Sequence, residues 1–242
     1  MFTAVRRQSL SESVYRQLED RIVRQELKPG EHLPAERELS DTLGVNRGAV
    51  REAIKRLQQA GLVAVRHGGN HVVQDYQDQG GLELLPSLLV KKDGKLNPAV
   101  VRSIMAMRSS LAPDIAAGAA RKPNPKLAGQ LEGLLEQMRG QRSDLKALQN
   151  HALAFWKLLV EHGGNIAFRL AFNSMNKTYT QAWGALTGVL AAEFRDVENL
   201  ATIARAVSAG DPDNARAAGR AHVEIGRKAV EKALAAVGAG DD

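Results

Sequence analysis

The stretch LPAERELSDTLGVNRGAVREAIKRLQQAGLVAVRHGGNHVV, residues 33–73, is the part of the sequence that most constrains the fold. Apolar residues at helical spacing predict two short helices within it, and the first is expected to end at Gly44. The second is expected to begin at Asn46 or Arg47 and to run to about Gln59. Two helices joined by so tight a turn have few alternatives to a helix–turn–helix unit.

Helical periodicity precedes this unit and strand periodicity follows it. Residues 10–23 carry apolar side chains on one helical face, and Pro29-Gly30 ends that helix. Two short alternating segments flank Gly68-Gly69-Asn70 and predict a β-hairpin. The order of helix, helix–turn–helix and hairpin predicts a winged helix-turn-helix, whose second helix enters the major groove of double-stranded DNA.

The first residues of that second helix are the predicted readers of the DNA bases. Arg47 or Arg51 can donate two hydrogen bonds to O6 and N7 of a guanine. Asn46 is suited to cap the helix and can also meet a base edge or a phosphate. Gly48 and Ala49 are small, so they let the helix approach the DNA closely.

Further DNA contacts are predicted at Arg37, which begins the preceding helix, and at His67 and Gly68 on the hairpin tip. A cation at a helix start opposes the helix dipole, but a bound phosphate would offset that cost and meet the free N–H groups. The alternative is that the arginines form surface ion pairs with nearby acids. The order of the elements favours DNA over that alternative, which involves Glu36, Glu38, Asp41 and Glu52.

The rest of the chain predicts a second, all-α domain. A polar, glycine-ended joint follows residue 73, and the segments beyond it have helical spacing separated by Gly, Pro, Asn or Asp. We predict a winged helix-turn-helix over residues 1–73, a linker with a short helix over 74–95, and an antiparallel α-helical bundle over 96–242. The fold class is therefore mostly α with one small β-hairpin, and Pro113 is expected to bend a bundle helix or to start a new one.

Composition and motifs exclude several classes of function. The chain has 242 residues and no cysteine, which rules out disulfides and thiolate metal sites. Its formal charge of +6 is compatible with a polyanionic partner. It has no signal-peptide core, no apolar run of transmembrane length, and no catalytic motif or acid–histidine cluster. We therefore expect a cytoplasmic protein that is not an enzyme, has no cofactor and does not engage a membrane.

The N-terminal motif L-P-A-E-R-E-L-S…L-G-V-N-R-G-A-V-R-E-A-I-K-R-L…G-L-V resembles the DNA-binding domain of the GntR family of bacterial transcription regulators. The resemblance implies a homodimer on a pseudo-palindromic DNA operator, with contacts from Arg37, Arg47, Arg51 and the wing residues. The family more often has Ser or Thr where Asn46, Gly48 and Ala49 stand, which leaves fewer hydroxyls here for phosphate bonds.

The C-terminal segments AMRSSLAPDIAAGAA and FWKLLVEHGGN resemble the FadR subfamily, which implies that residues 96–242 bind an effector and dimerise. Many members of that subfamily bind a metal through one Asp and three His. The corresponding positions here are Ala152, Trp156, Leu200 and His222. One imidazole among apolar side chains is not a metal site, so no metal is predicted.

Three segments, GGLELLPSLL, GNIAFRLAFNSMNKTYT and HVEIG, are similar to the fatty-acid-responsive branch of that subfamily. The similarity implies control of fatty-acid metabolism, with long-chain acyl-CoA as the effector that releases DNA. The alternatives are a small organic acid as the effector, or DNA binding without sequence preference. The effector residues expected on these grounds are Arg108, Trp156, Met175, Tyr179, His222 and Ile225.

Two of these expectations have a second reading. The spacing of the aromatic and aliphatic residues around Trp156 and Met175 favours ordinary core over a ligand channel. Arg108 lies mid-helix on an otherwise apolar face, and a buried arginine needs an anionic partner. That partner is either an effector anion or a structural glutamate.

Overall fold

The computed structural model describes residues 10–66, 70–181 and 187–238. The chain divides into two compact units, Met1–Leu88 and Leu89–Asp242. The division of function among residues 1–73, 74–95 and 96–242 stays a prediction.

The first unit has the predicted helix, helix–turn–helix and hairpin order, which confirms the winged helix-turn-helix fold. The segment after the hairpin is short and helical, with one 3-10 turn. The elements are α1 (Leu10–Val23), α2 (Glu36–Leu43), α3 (Arg47–Gln59), β1 (Val63–Val65), β2 (His71–Val73), α4 (Tyr76–Gln79), the turn Leu82–Leu84 and α5 (Leu85–Leu89).

The core of this unit is formed mainly by α1 and α3, which pack against each other. Their inward faces carry apolar residues at the predicted spacing, including Ile22, Val50, Ile54 and Leu57, each at most 1% exposed. Burial of four such side chains stabilises the pair by several kcal/mol, at about 1.5–3 kcal/mol for each. Because the inner face is fixed in this way, the opposite face of α3 is turned toward solvent.

The turn between α2 and α3 is closed by local chemistry. Gly44 ends α2 in the left-handed conformation with φ +64°, a geometry that glycine adopts without steric cost. The N–H of Gly44 donates to the Ser40 carbonyl, which satisfies one of the last carbonyls of α2. Both predicted boundaries of the turn are confirmed.

The hairpin strands pair in antiparallel register, with Val63 opposite Val73 and Val65 opposite His71. His32 adds a single antiparallel bridge to Val72. The tip of the hairpin, residues 67–69, lies outside the described residues, and so do the predicted DNA contacts His67 and Gly68.

The second unit is an α-helical bundle in which α6 packs against α8 and α12. Its helices are separated by breaks of the predicted kind, and among the described residues the short helix Ala191–Phe194 ends before the next helix begins, because Asp196 caps the new one. The helices are α6 (Pro98–Ala120), α7 (Pro125–Gly140), α8 (Leu145–Gly163), α9 (Ile166–Gln181), α10 (Ala191–Phe194), α11 (Val197–Ala209) and α12 (Pro212–Gly238). Within the described ranges, no helix combines the length and the apolar character needed to cross a membrane.

The expectation that Pro113 starts a new helix is wrong, since it lies inside the continuous helix α6. The surrounding contacts explain why the helix continues. Pro113 is buried, and a Cβ added to Gly219 of α12 would lie 3.4 Å from Pro113 Cα. This close packing and the alanine-rich sequence that follows stabilise the helix despite the hydrogen bond that proline removes.

Candidate nucleic-acid interface and effector cavity

The start of α3 presents Arg47 and Gly48 to solvent. Asn46 is the N-cap, as predicted, and its side-chain oxygen accepts a hydrogen bond of 2.8 Å from the backbone N–H of Ala49. The acceptor of Asn46 is therefore occupied, and its amide nitrogen is the group that can donate to a phosphate or a base edge.

Ala49 requires a correction to the predicted interface. Its side chain is only 7% exposed and belongs to the inner face of α3. A residue two positions after Arg47 lies about 200° around the helix from it, so the two cannot share the outward face. Ala49 thus contributes its small size and its capped N–H, and its methyl group does not face outward.

Arg51 forms an ion pair with Glu36 at the start of α2. Its Nη2 and Nε donate to Glu36 Oε2 over 3.0 and 3.2 Å. The ion-pair alternative thus holds for Arg51 in this structure. Among the residues that the structure describes, Arg37 and Arg47 have no such partner and both are exposed.

The Arg51–Glu36 pair leads to a prediction about DNA affinity. Glu36→Gln is expected to strengthen DNA binding about two- to fivefold, because Arg51 no longer has to leave a carboxylate before it meets DNA. Fluorescence anisotropy with a labelled duplex measures the change. Glu38→Gln is the matched control, since Glu38 is an exposed acid of the same helix for which no ion pair is found among the described residues. Equal gains in both variants would show that only net charge matters.

Arg66 is a candidate DNA contact that sequence reasoning missed. It follows β1 and is exposed, and its backbone N–H donates to the Asn70 carbonyl over 2.9 Å. This bond places a cation at the base of the wing. A cation adjacent to the predicted hairpin tip was the signal that could have identified it.

The second unit contains a cavity of about 60 Å³ among α6, α8, α9 and α10. Its wall is mostly apolar, and five polar or amphipathic side chains interrupt it: Arg108, Trp156, Asn176, Tyr179 and Glu193. The apolar part of the wall includes Ile104, Leu111, Ile115, Phe172, Met175 and Phe194.

The structure brings together four of the six predicted effector residues: Arg108, Trp156, Met175 and Tyr179 all line this cavity. His222 and Ile225 do not line it, which corrects their expected place in the wall. Glu193 occupies that side instead, with its Oε1 3.7 Å from His222 Nε2. His222 therefore lies behind Glu193 as seen from the cavity.

Glu193 is also the partner that Arg108 requires. Arg108 Nη1 donates to Glu193 Oε2 over 2.7 Å, and Arg108 Nη2 donates to Glu193 Oε1. Only 15% of the arginine side chain and 1% of the glutamate side chain are exposed. Burial alone lowers the pKa of Arg108, but the charge of Glu193, the influence of Tyr179 and the hydrogen bond to Glu193 together outweigh burial and raise that pKa above its ordinary value. The structural-glutamate reading of Arg108 therefore applies in this structure.

His222 is fully buried beside two acids. Its Nδ1 is 3.1 Å from Asp196 Oδ2, and its ring centroid is 6.1 Å from that of Trp156. Burial alone raises the pKa of Asp196, but hydrogen bonds from His222 and Asn199 outweigh it and hold that pKa below its ordinary value. His222 is thus a hydrogen-bonded core residue joined to the cap of α11.

The positions at which the subfamily holds a metal offer a poor donor set. Ala152, Trp156 and Leu200 are buried and carry no metal-ligating atom. Within the described residues, no three side chains of the His, Cys, Asp or Glu type are grouped so that they could hold a metal ion.

Two hydrogen-bonding groups of the cavity wall have no partner among the described residues. They are the indole N–H of Trp156 and the hydroxyl of Tyr179, and both side chains are more than nine-tenths buried. Burial raises the pKa of Tyr179 to about 12, although Arg108 opposes the shift. The Tyr179 hydroxyl is therefore protonated at neutral pH, and the indole N–H of Trp156 is a donor at any pH, so both groups can donate to a ligand.

A winged helix-turn-helix and a helical bundle with its own cavity together define a ligand-responsive transcription regulator. The model of bacterial regulatory proteins of the gntR family matches residues 10–73, and the FCD-domain model matches residues 103–225. The chain belongs to the GntR family, with an FCD domain as its second unit.

Known proteins agree with this assignment. The chain is 38% identical to the HTH-type transcriptional regulator Mce2R of Mycobacterium tuberculosis over 221 residues, which are 91% of each chain. It is 28% identical to the fatty acid metabolism regulator protein of Serratia proteamaculans over 153 residues, 63% of this chain and 62% of that one. The fold is similar to the solved structure of Lar, described as controlling the expression of the Listeria monocytogenes agr system. That match has a TM-score of 0.59 at 17% identity and covers 94% of this chain and 99% of that one.

Proposed function

We propose that the protein is a cytoplasmic, homodimeric regulator of fatty-acid metabolism that binds a pseudo-palindromic operator and leaves it when long-chain acyl-CoA binds. In each protomer, α3 enters the major groove. Acyl-CoA then shifts the dimer from poses that fit both half-sites to poses that do not.

The DNA-binding part of the proposal is supported by the exposed start of α3. Arg47 and Gly48 are exposed, and Asn46 caps the helix. Arg51 is exposed and pairs with one surface carboxylate, that of Glu36. Surface ion pairs contribute about 0–1 kcal/mol, so Arg51 can exchange Glu36 for DNA at little cost. Arg37 and Arg66 add exposed cations at the start of α2 and the base of the wing.

The effector part of the proposal is carried by one observation. Two of the four positions at which the subfamily holds its metal, Ala152 and Trp156, line a mostly apolar cavity here. An apolar wall without metal ligands suits an acyl chain better than a small organic acid. The fatty acid metabolism regulator relatives support the same choice.

An acyl chain requires the cavity to open. A cavity of 150 Å³ holds benzene, and the present one measures only about 60 Å³. The wall formed by α9 can supply the space, because the first half of α9 is largely exposed: Ile166 and Leu170 are 67% and 59% exposed. We propose that an outward shift of α9 admits the chain.

The test is release of DNA by acyl-CoA. Palmitoyl-CoA at micromolar concentration is expected to lower the anisotropy of a labelled operator, selected beforehand from random duplexes, to the value of free DNA. Free coenzyme A and citrate are expected to leave the complex intact. Release by citrate without release by palmitoyl-CoA would favour the organic-acid alternative.

A variant that fills the cavity links the release to this site. Ala152→Leu is expected to abolish release by palmitoyl-CoA while DNA binding is kept, because Ala152 is a buried part of the wall. Ala154→Leu is the matched control on the half-buried side of the same helix. If Ala152→Leu responds as the parent does, the effector binds elsewhere.

A further inference from the structure

The charge inside the cavity is already balanced. Arg108 donates to both oxygens of Glu193, and these are the two ionisable side chains of opposite sign in the wall. Behind them, Asp196 adds a second acid through its bond to His222. A ligand carboxylate placed beside this pair would be a buried charge without a partner, which costs far more than it returns.

A glycine in α12 leaves space for the carboxylate of Glu193. Gly226 of α12 faces Glu193, and a Cβ at that position would overlap Glu193 Oε2. A side chain other than glycine would push the carboxylate away from Arg108. Glycine at 226 therefore leaves room for Glu193 to pair with Arg108 while the glutamate side chain is only 1% exposed.

The wall also offers two donors that nothing in the described chain uses. Trp156 Nε1 and Tyr179 Oη are buried and without partners, and both side chains line the cavity. The indole can only donate, and a buried donor without an acceptor is costly. The two buried donors therefore call for an acceptor on the ligand, and the cation of the wall, Arg108, is already paired with Glu193.

We infer, on the basis of the proposed function, that the buried part of the effector is an uncharged apolar group that carries an acceptor oxygen, such as a thioester, ester or ketone carbonyl. Trp156 and Tyr179 donate hydrogen bonds to this oxygen. Glu193 discriminates against a free carboxylate. An acyl thioester meets this description and the corresponding fatty acid does not. Glu193 is thus a specificity-determining residue.

Two probes of similar shape test the inference, one anionic and one uncharged. Decanoate and 2-undecanone share a nine-carbon tail and a carbonyl, and they differ in O⁻ against CH₃. Isothermal titration of the full-length protein is expected to show 2-undecanone binding at least about tenfold more tightly than decanoate, because an uncompensated carboxylate is costly to bury.

Variants of the ion pair should reverse this preference. In Glu193→Gln, Arg108 is left without its carboxylate, so decanoate is expected to bind more tightly than 2-undecanone. In the double variant Arg108→Gln/Glu193→Gln, the cavity is neutral again and the ketone preference is expected to return. Circular dichroism melting establishes that each protein is folded at the assay temperature.

Tyr179→Phe removes one donor and leaves the Arg108–Glu193 ion pair intact. It tests the inference even if Glu193→Gln does not fold. It is expected to weaken 2-undecanone binding about two- to tenfold, the effect of one lost hydrogen bond. Thr180→Ser is the matched control on the exposed side of α9, and it should bind both probes as the parent does.

Three outcomes overturn the inference: tighter binding of decanoate by the parent, binding of neither probe, or unchanged ketone affinity in Tyr179→Phe. The proposed function is read out separately by the release of operator DNA. If the protein prefers the ketone but acyl-CoA does not release operator DNA, the regulatory proposal is wrong and the inferred ligand class is retained.

Discussion

Arg108→Met is expected to lower the free energy of unfolding by about 3–5 kcal/mol, the usual cost of removing one partner from a buried ion pair. The reason is that Glu193, only 1% exposed, would lose both hydrogen bonds and the opposite charge that Arg108 provides. Urea denaturation followed by circular dichroism measures the change. A shift of less than 1 kcal/mol would show that water reaches Glu193 freely and that the pair is not buried in solution.

A surface pair provides the control for this experiment. Arg139 Nη1 and Glu132 Oε1 are 2.9 Å apart, and both side chains are exposed. Arg139→Met should therefore lower the free energy of unfolding by no more than about 1 kcal/mol. The double variant Arg108→Met/Glu193→Gln should recover much of the lost stability, because it leaves no unpaired charge. Failure to recover would mean that the arginine contributes mainly through packing of its aliphatic stem.

Arg47→Ala is expected to weaken operator binding about ten- to hundredfold with no loss of helix content. A bidentate arginine–guanine contact contributes about 1–3 kcal/mol of discrimination, and Arg47 is exposed at the first position of α3, so its removal disturbs no core residue. Anisotropy titrations against the selected operator and a scrambled duplex measure both the affinity and the specificity ratio.

Two variants separate base recognition from charge. Arg139→Ala removes the same charge in the second unit and should bind DNA as the parent does. Arg47→Lys keeps the charge but cannot donate as a fork, so it should retain binding to the scrambled duplex and lose preference for the operator. Operator binding by Arg47→Ala equal to that of the parent would refute the assignment of α3 as the recognition helix.

The winged helix-turn-helix followed from sequence because its determinants are local. Periodic apolar residues, the glycine that ends α2 and the Asn46 cap each act within a few positions, and each is where the sequence predicts it. Ala49 was misplaced for a reason of the same kind. The helical period places it on the inner face, since it lies nearly opposite Arg47 on the helix.

Sequence by itself determined the family, the order of the elements and the outward arginines of the first unit, since these depend on spacing along one helix. Only the tertiary structure decided what the second unit does with its polar residues. Arg108 and Glu193 are 85 residues apart, and His222 is 26 residues from Asp196, so no local pattern pairs them. Their partners are chosen by how α6, α10 and α12 pack, because a buried charge is stable only where another element brings the opposite charge to it.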